Sequence, residues 1–311
     1  GNKLDSLKEE AITVLKNCTA VTDDWKTSLG KLDEAISTLK QFCPEKENQE
    51  VSETLEFLNW LKGDNFIFLG SREYEFIQGD KDGGFKIEPN SGSGILRDEL
   101  APIPDMDVIP VSSENCTFMC ESCPLIVTKA TTKSPVHRAA YMDYVGVKKF
   151  SADGEVIGEY RFLGLYTSSA YHVKISDIPL IRKKINKVLT QSAFKVNSHS
   201  GNSLMNILEG LPRDELFHSS DEQLLKLALG VLQLRERQRI RLFARTDLYG
   251  RFVSILVYVP RDQYHTGVRK KMEQVVCSKL GADDIDFNVE FSESIFARVH
   301  FTIHTPLGWK K

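Results

Sequence analysis

Cys116, Cys120 and Cys123 are spaced C-x3-C-x2-C, and three thiolates in that pattern can hold an iron–sulfur cluster. Arginine is the second chemical signal. Arg235, Arg237, Arg239, Arg241, Arg245 and Arg251 crowd one short stretch, where guanidinium groups can grip a carboxylate or phosphate bidentately or dock on an acidic neighbour. Ser168, Ser169, Tyr171 and His172 follow an expected strand and gather hydroxyls, a ring and an imidazole, as a small-molecule site at a strand end requires. Ser219-Ser220-Asp221 opens an expected helix, whose first amides can receive an anion.

Each signal has a plainer competitor. The cysteine spacing matches the cluster loop of radical enzymes that use S-adenosylmethionine, but Ser122 stands where those carry an aromatic. The neighbouring strands do not alternate with helices as a barrel needs, so three incidental thiols in a loop is the stronger reading. The arginines also fit a solvated strand face and helix end, with docking between domains as the better functional use. Ser220 with Gln223 forms a capping box that uses the same amides an anion would need. A hydrogen-bonded turn suits Ser168–His172 at least as well as a ligand. His300 and His304 share a strand face but lie about 13 Å apart along it, too far for one metal ion. The sequence holds no G-x-G-x-x-G, P-loop, H-E-x-x-H or G-x-S-x-G.

The 311 residues are 41% hydrophobic and 27% charged, ordinary globular material for two or three domains. A formal net charge of −3 gives no bulk attraction to nucleic acid or an anionic membrane. No apolar run reaches membrane-spanning length, and the amino end lacks the core of a signal peptide. Six cysteines without a framework imply reduced thiols and a cytoplasmic setting. The opening Gly1-Asn2 reads as an expression scar on a piece of something longer.

The elements that must position these groups follow from periodicity. Residues 1–49 predict a helical hairpin, with Leu4, Leu7, Ala11 and Val14 on one helix, Val21 to Leu39 on the next, and a join around Asn17–Ala20. Residues 50–200 predict an antiparallel α+β domain. Its third helix ends at Gly63 in a left-handed cap, and Asp153-Gly154 turns its last hairpin. Ser176 or Asp177 is expected to cap the helix that follows. Residues 201–311 predict a ferredoxin-like βαββαβ domain with a preceding helix. Its strands begin at Glu215–His218, and its helix from about Thr266 carries Val268, Met272 and Val275 on one face. The centre of this domain is the hairpin Arg239–Pro260, in which Ile240, Leu242 and Ala244 alternate with Arg241, Phe243 and Arg245, while Phe252–Val259 is apolar on both faces. The fold class is therefore α+β.

Several runs resemble one family. Phe57-Leu58-Asn59-Trp60-Leu61 through Phe66-Ile67-Phe68-Leu69-Gly70-Ser71-Arg72-Glu73-Tyr74, Gly94-Ile95-Leu96-Arg97, Asp143–Phe150, Arg161–His172, Pro212–Phe217 and Gly250–Asp262 are similar, in one collinear order, to the large NAD-specific glutamate dehydrogenases of bacteria. Ser71 departs from the usual Tyr, and the first fifty residues match poorly. The resemblance implies the regulatory amino-terminal half, with ACT-like modules and a PAS-type region. The parent oxidises L-glutamate to 2-oxoglutarate and ammonium with NAD. Its catalytic lysines and its NAD site lie beyond the matched runs, so no catalytic, cofactor or metal residue is carried over and the fragment itself holds no cofactor. The implied partners are the catalytic domain of the same polypeptide, a homo-oligomer and an amino-acid effector, with Arg239, Arg241, Arg245, Ser168, Ser169, Tyr171 and His172 as candidates for ligand or interdomain contact. The rivals are a spacer that binds nothing small and, further off, an iron–sulfur enzyme on Cys116, Cys120 and Cys123.

Overall fold

The computed structural model describes residues 2–44, 48–77, 84–101, 109–110, 123–195, 198–234, 239–247, 252–282, 285–291 and 294–304. The chain divides into two compact units, Gly1–Val173 with Ile178–Leu180, and Lys174–Asp177 with Ile181–Lys311. The division falls earlier than the expected one near residue 200. No helix among the described residues is long and apolar enough to cross a membrane.

The first unit begins with one helix, α1 (Asn2–Phe42), not a hairpin. Asn17–Ala20 contains neither Gly nor Pro. Its polar side chains also serve the helix, since Asn17 and Thr19 donate to the carbonyls four residues back at 3.0 Å, as Thr13 and Thr22 do at 2.9 and 2.8 Å. Helix α2 (Gln49–Trp60) is capped by Asn48. The left-handed residue after it is Asp64 (φ 62°) rather than Gly63, because Asn65 ties the turn to the Trp60 and Gly63 carbonyls.

Strands β1 (Phe66–Ile77), β2 (Gly84–Ile87), β3 (Ser93–Gly94), β4 (Ile109–Pro110), β5 (Leu125–Lys133), β6 (Tyr141–Phe150) and β7 (Val156–Tyr166) form an antiparallel sheet of order β4-β2-β1-β7-β6-β5, with β3 beside β1. Gly94 has φ +59°, and a Cβ there would sit 2.1 Å from the Leu69 carbonyl oxygen, so only glycine fits. The carboxy half of α1 lies on this sheet. Leu32, Ala35 and Leu39 are fully buried, and Cys43 just beyond is 3% exposed. Asp24 receives the Gly94 amide and both Arg97 donors, which accounts for the Gly-Ile-Leu-Arg run in structural terms. A short helix, α3 (Ser168–His172), follows β7.

The second unit packs helices α4 (Ile181–Gln191), α5 (His199–Glu209), α6 (Arg213–His218) and α7 (Asp221–Leu234) with a four-stranded antiparallel sheet. Ser176 and Asp177 sit in a separate 3-10 turn and do not cap α4. Helix α6 replaces the expected strand at Glu215–His218. Pro212 precedes it, and Asp214 and Glu215 place negative charge at its amino end, both helix-starting features. Ser220 and Gln223 cap α7 reciprocally at 3.2 and 3.0 Å, as expected.

The sheet consists of β8 (Arg241–Thr246), β9 (Phe252–Pro260), β10 (Ile285–Phe291) and β11 (Phe296–His304) in the order β10-β11-β9-β8. Helix α8 (Thr266–Leu280) ends at left-handed Gly281 (φ 63°). It buries Val276, while Val275 on the expected face is 60% exposed. The α+β class holds, and the described order from α6 onward, α-α-β-β-α-β-β, keeps the expected βαββαβ with its extra last strand except that the first strand is the helix α6. Central β9 is buried throughout, and its Val253, Ile255, Val257 and Val259 meet Val299, Phe301, Ile303 and Val276 in one core.

Candidate functional site

Helix α6 carries Glu215 into the second unit's interior, where it is 3% exposed. The β8–β9 register sets Arg245 beside Ser254, and both reach it. Arg245 donates through Nη2 to Oε1 at 2.7 Å and through Nε to Oε2 at 3.2 Å, and the Ser254 hydroxyl donates to Oε1 at 2.6 Å. On β11, His300 Nε2 lies 2.8 Å from Ser254 Oγ and 3.8 Å from the carboxylate. Burial alone would raise the Glu215 pKa, but the charge and hydrogen bonds of Arg245, with His300 and Ser254, hold it down at about 2. Burial pushes His300 below its ordinary value, and Glu215 and Asp214 offset part of that.

Serine, histidine and glutamate are the residues of an acyl-transfer triad, but not in its arrangement. Ser254 sits between the other two, the carboxylate does not orient the far ring nitrogen, and Ser254 is 2% exposed. The cluster is a clamp. It joins α6 to three strands, and Lys184 of α4 reinforces it by donating to the Leu216, Phe217 and Ser219 carbonyls at 3.1, 2.6 and 2.8 Å. Sequence reasoning missed Glu215 by reading its segment as a strand. The Pro-Arg-Asp-Glu run was the available signal of a helix start.

The arginine row therefore splits. Arg245 spends its guanidinium on Glu215, whereas Arg239 and Arg241 are exposed and Arg241 lies 5.4 Å over the Phe243 ring. Arg235, Arg237 and Arg251 lie outside the described residues. The strand also buries the opposite face from the one expected. Phe243 packs on Gly230 and Tyr258, while Ile240 and Leu242 are 55% and 52% exposed at the sheet edge.

In the first unit, Ser168 and Ser169 are exposed on α3 and Tyr171 is half-buried. His172 Nδ1 lies 2.6 Å from the Ser168 carbonyl oxygen, so these four residues share one short capped helix. Cys123 Sγ donates to the Leu125 carbonyl at 3.3 Å, and Cys116 and Cys120 lie outside the described residues. Among the described residues no cluster of His, Cys, Asp or Glu is placed to hold a metal ion. A second buried cluster lies on the sheet. Arg161 sits 3.7 Å over the Tyr74 ring and donates to Tyr144 at 2.9 Å and Glu159 at 3.3 Å. On the α1 side of this unit, Glu73 receives Lys31 and Lys149, each at 3.0 Å.

Residues 178–237 match the profile of glutamate dehydrogenase helical motif 1, and residues 241–311 match that of the glutamate dehydrogenase ACT2 domain. The NAD-specific glutamate dehydrogenase of Pseudomonas aeruginosa is 36% identical over 302 residues, which is 97% of this chain and 18% of that protein. The chain is similar over nearly its whole length to one segment of the NAD-specific glutamate dehydrogenases. The Halomonas elongata glutamate dehydrogenase is 33% identical over 97% of the chain and 19% of its own length. That of Mycobacterium tuberculosis is 30% identical over 87% and 16%. The chain thus spans less than a fifth of these glutamate dehydrogenases. In the family's terms, helical motif 1 holds α4 to α7 and the ACT2 segment opens at β8. The Glu215–Arg245 pair fastens one to the other.

Proposed function

We propose that this chain is a regulatory and assembly segment of an NAD-specific glutamate dehydrogenase that oxidises L-glutamate to 2-oxoglutarate and ammonium, with the chemistry carried elsewhere in the polypeptide. The observation that carries this reading is the alignment of 97% of the chain to 18% of a relative's length, including an ACT2 match. The sequence offers no G-x-G-x-x-G run to a pyrophosphate, which supports placing the NAD site elsewhere in the polypeptide. NAD belongs to the parent enzyme in this reading, in a cytoplasmic homo-oligomer.

The mechanism is allosteric. An amino acid held at the ACT2 segment, with Arg239 or Arg241 on its carboxylate, biases the packing of that sheet, and the Glu215–Arg245 clamp passes the bias to helical motif 1. Ser168, Ser169, Tyr171 and His172 are the second candidate contact. A thermal-shift screen of amino acids, 2-oxoglutarate, nucleotides and NAD tests this. A ligand at a hundred times its dissociation constant adds about 2.7 kcal/mol and raises the melting point by several degrees. A shift that Arg241→Ala abolishes supports the site, and no shift with any compound sinks it.

The exposed Ile240 and Leu242 beside Arg239 and Arg241 favour a second reading, a spacer that docks on neighbouring domains and binds nothing small. Arg239→Ala with Arg241→Ala in the full-length enzyme separates the two. Lost assembly with intact effector response supports the spacer.

A further inference from the structure

The ion pair on the first unit's sheet is built unlike the clamp of the second unit. Arg245 meets Glu215 through two donors and two acceptors. Arg161 reaches Glu159 through Nε alone, at 3.3 Å to Oε1, which already accepts from Tyr144. Among the described residues nothing bonds to the two terminal nitrogens of Arg161 or to Glu159 Oε2. Rings hold the guanidinium instead, with Tyr74 at 3.7 Å, Tyr144 at 5.0 Å and Phe85 at 5.9 Å. The Arg161 side chain is 20% exposed and that of Glu159 1%.

The sheet places a second guanidinium beside it. Arg72 pairs with Arg161 across β1 and β7, and Gly146 pairs with Arg161 across β6 and β7. Strand alternation turns this row away from Glu73, Tyr160 and Lys149, whose side α1 meets through Lys31 and Glu34. Gly146 sets no side chain beside Arg161, and a Cβ there would lie 2.6 Å from Glu159 Oε1. Arg72 donates through Nη2 to Asp98 at 3.0 Å and to the Ala101 carbonyl at 2.7 Å, yet its Nε is buried without a partner. Buried donors left without an acceptor destabilise the fold.

We propose that this face of the first unit's sheet takes a free α-amino acid, with its carboxylate on the open end of Arg161 and its ammonium on Glu159 Oε2. Two neighbouring groups of opposite charge on β7, each with unused bonding capacity, match the two charges of that zwitterion. A dicarboxylate or a phosphate suits Arg161 but meets Glu159 as a like charge. Tyr74, Tyr144 and Phe85 give the ligand an aromatic wall. Entry is over Arg161, the more open of the pair. The site lies in the first unit and does not depend on the effector site proposed for the ACT2 segment.

Titration calorimetry of the intact chain against the proteinogenic L-amino acids and their 2-oxo acids is the test. At least one amino acid binds, and its 2-oxo acid, which lacks the ammonium, binds about tenfold or more weakly. Arg161→Lys keeps the charge but loses the planar fork, and weakens that amino acid by about tenfold or more. Glu159→Gln keeps an acceptor for Tyr144 and removes the charge, so the preference for the amino acid over its 2-oxo acid collapses, which lost packing alone would not produce. The unsubstituted chain gives a reading that needs no variant. Phenylglyoxal modifies Arg161, the bound amino acid protects it, and peptide mass spectrometry follows both. No binding by any amino acid at millimolar concentration overturns the site, as does a 2-oxo acid that binds equally well, or an amino acid that leaves Arg161 modification unchanged. An amino acid that protects Arg241 and not Arg161 overturns it while supporting the ACT2 site.

Discussion

Removing the Arg245 side chain leaves Glu215 charged and unpaired in the interior, which costs about 3–5 kcal/mol. Urea unfolding of Arg245→Ala reads that loss, while Arg241→Ala, at an exposed position, stays within about 0.5 kcal/mol of the parent. The same pair makes the second unit sensitive to acid. Glu215 is held at about 2 against an ordinary 4.5, so its contribution is complete above 4.5 and lost as pH falls toward 2. That contribution is about 3 kcal/mol. His300, lowered by burial, adds in the same direction, because below its ordinary 6.5 the unfolded chain takes the proton first. Unfolding free energies measured from pH 7 to 3 should therefore fall, and should fall less steeply in Glu215→Gln. Equal slopes in the two proteins would discard the assignment.

At the scale of elements, local chemistry was legible and burial was not. The Ser220–Gln223 box and the Asp153-Gly154 turn each rest on residues within a few positions, and each is legible directly. Continuity of α1 was misread because a polar stretch resembles a break, although Thr and Asn can bond back to their own helix. Alternation in β8 gave its period without its inward face. What decides the face is that α6 and α7 cover the Phe243–Arg245 side, while Ile240 and Leu242 sit at an edge. Buried charge was the least visible feature, since a glutamate in sequence carries no mark of the arginine it will meet. Gly94 is the sharpest element-level test. Gly94→Ala forces a Cβ onto the Leu69 carbonyl at a left-handed position and should cost about 2–4 kcal/mol, read as a lowered melting point. A neutral result would mean that β3 does not lie against β1 as described.

Across the molecule, two units hold two cores, and the clamp belongs to the second alone. Arg245→Ala should therefore split denaturant unfolding into two steps, with amide exchange in β9 and β11 accelerated and that in β1 and β7 unchanged. The covered half of α1 has a consequence for thiol chemistry. Cys18 and Cys43 lie at opposite ends of one packing gradient, the first in solvent and the second 3% exposed where the helix leaves the sheet. A thiol-labelling reagent reaches Cys18 at once and Cys43 only when this end of α1 lifts. The ratio of the two labelling rates, each set against the thiol's rate in denaturant, becomes a clock for that opening, read in native buffer without a probe attached.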